Sequence, residues 1–119
     1  LPGGLPGADH LCRSQELKQL LLDQHQQQKM IAAICAAPKV LVTHGIIQQQ
    51  PISAYPGSLH HFIEQGVISE QQLSKEAICQ SGHIITSRGP GTALDFTLTI
   101  IEILSSSQQR LLVESALER

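Results

Sequence analysis

The chain has 119 residues and a mass of 12.9 kDa, and ten Asp and Glu against eight Lys and Arg leave a formal net charge of -2. That balance excludes a field strong enough to gather nucleic acid or anionic lipid. The longest apolar stretches, such as Met30 to Pro38, fall short of the ~20 residues a membrane-crossing helix needs. With no Trp and 3% aromatics the core has to be aliphatic, and a chain of this length buries one core rather than two, so residues 1–119 read as a single domain.

Residues 1–13, punctuated by Gly3, Gly4, Pro6 and Gly7, read as loop. Ser14 can cap a helix whose Leu17, Leu20 and Leu21 supply the i, i+3, i+4 stripe. Met30 to Ile34 is apolar without alternation, which suits a strand buried on both faces in a parallel sheet. Pro38 then opens a helix that Gly45 closes. Strand followed at once by helix is half of a βαβ unit, so the spacing predicts an α/β domain.

Further along, Ile52 to Tyr55 is predicted as a short strand stopped by Pro56-Gly57, and Ser58 to Gln65 as a brief helix with Leu59, Phe62 and Ile63 inward. Ala77 to Cys79 and His83 to Ser87 flank Gln80-Ser-Gly82 as a hairpin. Arg88-Gly-Pro-Gly-Thr92 is a sharp turn into a helix through Leu94, Leu98, Ile101 and Leu104, and Gln108 to Arg119 forms a last amphipathic helix through Leu111, Leu112 and Leu117. The glutamine tracts at 26–28 and 48–50 decorate solvated faces.

Three cysteines, Cys12, Cys35 and Cys79, are odd in number and widely spaced. They support neither a disulfide framework nor a zinc site, no cofactor is implied, and a reducing cytoplasm is the expected compartment. Adjacent His60 and His61 would point about 100° apart on a helix, which suits surface residues better than metal ligands. Cys12 and Cys79 read as structural. Cys35 differs by position: it follows the buried strand and precedes the Pro38 helix, so it occupies a sharp strand-to-helix turn above the C-terminal edge of the sheet. Cysteines next to helix N-termini have pKa values lowered from about 8.5 to roughly 3.5–7.5, and the small neighbours Ala33, Ala36 and Ala37 leave room for a tight elbow.

Ala32-Ala-Ile-Cys-Ala-Ala-Pro38, the opening Leu-Pro-Gly-Gly4 and Thr86-Ser-Arg-Gly-Pro-Gly-Thr92 stand in an order that resembles the ThiJ/PfpI superfamily, in the branch of the Parkinson-disease protein deglycase and its bacterial chaperone-like homologues. The resemblance implies a flavodoxin-like three-layer α/β sandwich with a mostly parallel sheet, and a homodimer. It makes Cys35 the reactive cysteine, gives the backbone N–H groups of Gly4 and Ala36 an oxyanion-type role, and sets Gly3, Tyr55, Arg88, Gly89 and Pro90 around the pocket. The implied activity is that of a glyoxalase or deglycase on glyoxal or methylglyoxal adducts of proteins or small aldehydes, with nucleic acid only as a glycated substrate. The rival reading is a redox-sensing chaperone switched by Cys35 oxidation.

The sequence also departs from the family. Tyr55 stands where human-type relatives carry a histidine before the proline, and Ala36 stands where a protease-like branch has His, which argues against peptidase chemistry. None of His44, His60, His61 or His83 has the Glu two residues on that an amidotransferase site would need. The resemblance further implies that the N-terminal strands and the acidic partner of the cysteine belong to a segment preceding Leu1, which makes the chain N-terminally incomplete.

Overall fold

A computed structural model describes residues 1–119. Its elements are α1 (Gly7–Arg13), α2 (Gln15–Gln26), β1 (Ile31–Ile34), α3 (Pro38–Thr43), α4 (His60–Glu64), β2 (Ile78–Ser81), β3 (Ile84–Ser87), α5 (Ala93–Leu104) and α6 (Ser107–Ala116), with short 3-10 turns at Glu70–Gln72 and Pro90–Thr92. The sheet runs β1-β3-β2: β1 lies parallel to β3, pairing Ile31 with Ile84 through Ile34 with Ser87, and β2 lies antiparallel to β3. Leu1 adds to the free edge of β1, its nitrogen donating to Ala32 O at 2.7 Å and its carbonyl accepting from Ile34 N at 3.3 Å.

Successive strand residues point to opposite faces. Ile31, Ala33 and Ile84 join Leu21 of α2 and Val40 and Leu41 of α3 in one aliphatic cluster. Ile85, one residue on, faces the other way, toward the side where α5 buries Phe96 and Leu98. Helices thus flank the sheet on both sides, in the α/β architecture expected.

Ser14 caps α2 as predicted, accepting from Leu17 N at 3.1 Å. Pro38 occupies the first turn of α3, and Gly45, at φ 77°, takes the left-handed position just beyond it. Five expectations need correction. Residues 7–13 are helical rather than loop: Ala8 is fully buried, Lys39 of α3 pairs with Asp9, and His44 Nε2 lies 3.0 Å from Leu11 O, so tertiary contacts override the Gly/Pro punctuation. β1 buries only Ile31 and Ala33, leaving Ala32 and Ile34 half-buried. Residues 52–55 form a single parallel bridge, Ile52 to Leu73, instead of a strand. The hairpin turn is the two residues Gly82-His83, because Gln80 and Ser81 still pair with Ile85 and Ile84. Lastly, several stripe leucines are exposed rather than packed: Leu20 of α2, Leu94 and Leu104 of α5, and Leu111, Leu112 and Leu117 of the α6 segment.

Candidate functional site

Cys35 sits at the C-terminal end of β1, and its backbone is left-handed, φ 65°. For an L-residue with a Cβ that conformation costs roughly 1–2 kcal/mol, so the surroundings have to hold it. Two backbone hydrogen bonds do: Cys35 N–H donates to Ser87 O at 3.0 Å, and Cys35 C=O accepts from Tyr55 N–H at 2.8 Å. Cys35 itself is half-buried.

Glycine is required at one point around it, and at a second glycine there is little room for a side chain. A Cβ on Gly3 would lie 2.6 Å from Cys35 Cβ and 2.8 Å from Ile34 O, both within the distance at which something must shift. A Cβ on Gly89 would come within 3.3 Å of the Tyr55 ring and 3.9 Å of Cys35 Sγ. Gly3, Tyr55 and Gly89 therefore stand around the cysteine. Gly4 follows Gly3 at φ 90°, and neither Gly4 N–H nor Ala36 N–H donates to a backbone acceptor. Pro90 begins the 3-10 turn that leads away from Gly89. Arg88 is exposed and belongs to none of the chain's ion pairs.

Behind these residues lies a set of buried hydroxyls that sequence reading missed. Thr86 Oγ1 accepts from Ser53 N–H at 2.9 Å, and Ser53 Oγ donates to Glu76 O at 3.0 Å, which ties the loop carrying Tyr55 to the sheet. Ser87 Oγ donates to Ala77 O at 2.7 Å and lies 2.6 Å from Thr92 Oγ1, which accepts in turn from Gly89 N–H at 3.2 Å. Buried polar groups are retained only where such partners exist. The one signal available in the sequence was the clustering of Ser and Thr at 86, 87 and 92 around a Gly-Pro-Gly turn.

Beyond Tyr55 lies a cavity of about 550 Å³ between the 54–57 loop, α4 and the stretch from Glu70 to Lys75. Tyr55 and Arg88 line it, whereas Cys35, Gly3 and Gly89 are not among its walls. Cys12 packs beside the main core and Cys79 is buried in β2, as their structural reading implies. His60 stands 3.0 Å from Glu64 on α4, and no group of three or more His, Cys, Asp or Glu side chains is arranged to hold a metal ion.

Residues 1–103 match the DJ-1/PfpI family. The chain belongs to that family. It is 39% identical over 108 residues to the Parkinson disease protein 7 homolog of Danio rerio, a match that covers 91% of this chain and 56% of that protein. It is 33% identical over 111 residues to the glutathione-independent glyoxalase DJR-1.2 of Caenorhabditis elegans, covering 92% and 55% of the two chains. The crystal structure of Drosophila melanogaster DJ-1beta aligns with a TM-score of 0.86 at 36% identity, over 97% of this chain and 60% of that one. The chain therefore spans a little over half the length of these DJ-1/PfpI relatives and shares their flavodoxin-like fold. No helix is long and apolar enough to cross a membrane.

Proposed function

We propose that the chain carries the nucleophile of a cysteine-dependent glyoxalase or deglycase-like enzyme acting on glyoxal or methylglyoxal and their adducts, in the cytoplasm. The observation that carries this reading is the left-handed Cys35, pinned by Ser87 and Tyr55 and crowded by Gly3. Strain of this kind concentrates where chemistry needs a fixed side chain. A relative whose name is glutathione-independent glyoxalase supports the substrate class.

In this reading the Cys35 thiolate adds to the aldehyde carbon. The S–C bond forms, the carbonyl electron pair moves onto oxygen, and the unpaired Gly4 and Ala36 N–H groups face the oxyanion. A hydrogen shift from the former aldehyde carbon to its neighbour converts the hemithioacetal to a thioester. Water then cleaves the thioester, releasing the α-hydroxy acid and restoring the thiol. The substrate is oxidised at one carbon and reduced at the next, so no outside electron acceptor enters. The acid–base group for the hydrogen shift comes, in this proposal, from the part of the family domain that this chain does not span, and the working unit is a homodimer.

The test is release of α-hydroxy acid from methylglyoxal by the complete protein and by its Cys35→Ser variant. Loss of turnover with an unchanged far-ultraviolet spectrum is expected; a Cys35→Ser variant that keeps its rate overturns the proposal. A parent without turnover, whose protection of aggregating clients switches on when peroxide takes Cys35 to the sulfinic acid, would instead establish the redox-chaperone reading.

A further inference from the structure

The cavity beyond Tyr55 has features of its own that the chemistry at Cys35 does not use. Its volume of about 550 Å³ falls within the roughly 300–1,000 Å³ of small-ligand sites. Its floor is aliphatic: Ile52 and Leu59 are essentially buried, and Ile63 and Leu73 add apolar wall. Two cations, Lys75 and Arg88, stand on its lining and neither enters an ion pair within the chain. One carboxylate, Glu70, lines it as well.

From these groups we infer a second binding site, distinct from the Cys35 nucleophile, for a monoanion with an apolar tail, such as a medium-chain carboxylate. The tail would replace water over the Ile52–Leu59 floor, and the carboxylate would meet Arg88, whose planar fork matches it, together with Lys75. Glu70 sets the charge limit: two cations and one carboxylate leave one net positive charge, which a monoanion balances and a dianion would overcompensate. The same Tyr55 that walls the cavity donates its N–H to Cys35 O at 2.8 Å, so the two sites share one residue while keeping separate walls. The inference does not depend on the glyoxalase reading, because it concerns binding alone.

Binding is read by isothermal titration calorimetry on the complete protein. Titration with octanoate is expected to give a saturable one-site heat, while the isosteric but uncharged octanamide binds at least about tenfold more weakly. Lys75→Gln and Arg88→Gln should each weaken octanoate by roughly tenfold, as expected for loss of one charge-assisted contact. Glu70→Gln should tighten it. Leu73→Asp, which sets a carboxylate in the apolar wall, should abolish it while the melting curve stays cooperative. No saturable heat with octanoate, equal binding of octanoate and octanamide, or unaltered affinity in the Lys75→Gln/Arg88→Gln double variant would each overturn the proposal.

Discussion

The cysteine elbow and the α5–α6 hairpin are built on opposite principles. Around Cys35, backbone segments approach so closely that Gly3 admits no Cβ, and positions are fixed by buried hydroxyls and short backbone hydrogen bonds. In the hairpin, α6 buries none of its residues, and the two helices are joined by a surface mesh. Arg110 reaches Glu102 at 2.6 Å, and Arg119 reaches Asp95 at 2.5 Å and Glu114 at 3.0 Å. These pairs hold both arginines above their ordinary pKa, and the Ser107 hydroxyl, which donates to Glu102, together with Arg110 pulls Glu102 below its own. Exposed pairs of this kind contribute little to stability. The family match ends at residue 103, before α6 begins. Close packing is concentrated around the cysteine, whereas the hairpin is held by its surface.

The most direct way to break that contrast is Gly3→Ala. A methyl group 2.6 Å from Cys35 Cβ must push the Leu1–Gly4 segment off the β1 edge, at a cost of about 1–3 kcal/mol. Denaturant melts and the rate of Cys35 alkylation, read by intact mass, should both change; a variant indistinguishable from the parent in both would mean that the approach is not tight. Next in size is the strain at Cys35. Cys35→Gly and Cys35→Ala both delete the thiol, but only glycine relieves the left-handed backbone, so Cys35→Gly should be the more stable of the two, by up to about 1 kcal/mol after its greater unfolded-state entropy is counted. The opposite ranking would show that the elbow is unstrained.

The hairpin side of the comparison predicts near silence. Leu111 and Leu112 are 61% and 67% exposed, and replacing both with Gln should shift stability by no more than about 0.5 kcal/mol. A larger loss, or a change in sedimentation, would reveal that these leucines pack against something in solution.

The smallest expected effect lies at the far end of β1 from Cys35. There His25 Nδ1 lies 2.9 Å from His83 Nε2, and the His83 carbonyl accepts from Ile31 N–H at 2.9 Å. Burial, and secondarily the neighbouring His25, lower the His83 pKa from the ordinary histidine value. The unfolded chain then binds the proton more readily than the folded one. The contribution of this group is complete above the ordinary histidine pKa of about 6.5 and is lost as the pH falls through the unfolded and then the folded value. Melting temperature should therefore drop on acidification across that window, and His83→Gln should flatten the slope; an unchanged slope would dismiss the pair as a titrating contact.

Much of this was legible in the chain itself. Hydrophobic spacing located α2, α5 and β1, Ser14 announced its cap, and the strand–cysteine–small–small–proline order marked the elbow. What escaped was tertiary in origin. The helix at 7–13 forms because Ala8 and Asp9 find α3, a contact that no local propensity encodes. The shortfall at 52–55 arises because only Ile52 finds a bridging partner. Tyr55 and Arg88 could be assigned to the neighbourhood of Cys35 from the family resemblance, but only the folded arrangement shows that they also wall a separate cavity.

The elbow is assembled from four stretches of chain, around residues 1–4, 35–37, 53–55 and 87–89, and each reaches Cys35 or its strand through the backbone. The bond from Cys35 to Ser87 closes a loop of some fifty residues, so it belongs to the long-range contacts that arrive late in folding. No isolated hairpin or helix can reproduce it. The left-handed cysteine consequently works as a clock for the whole sheet: its selective reactivity should appear only with the last cooperative step of refolding and vanish with the first global opening.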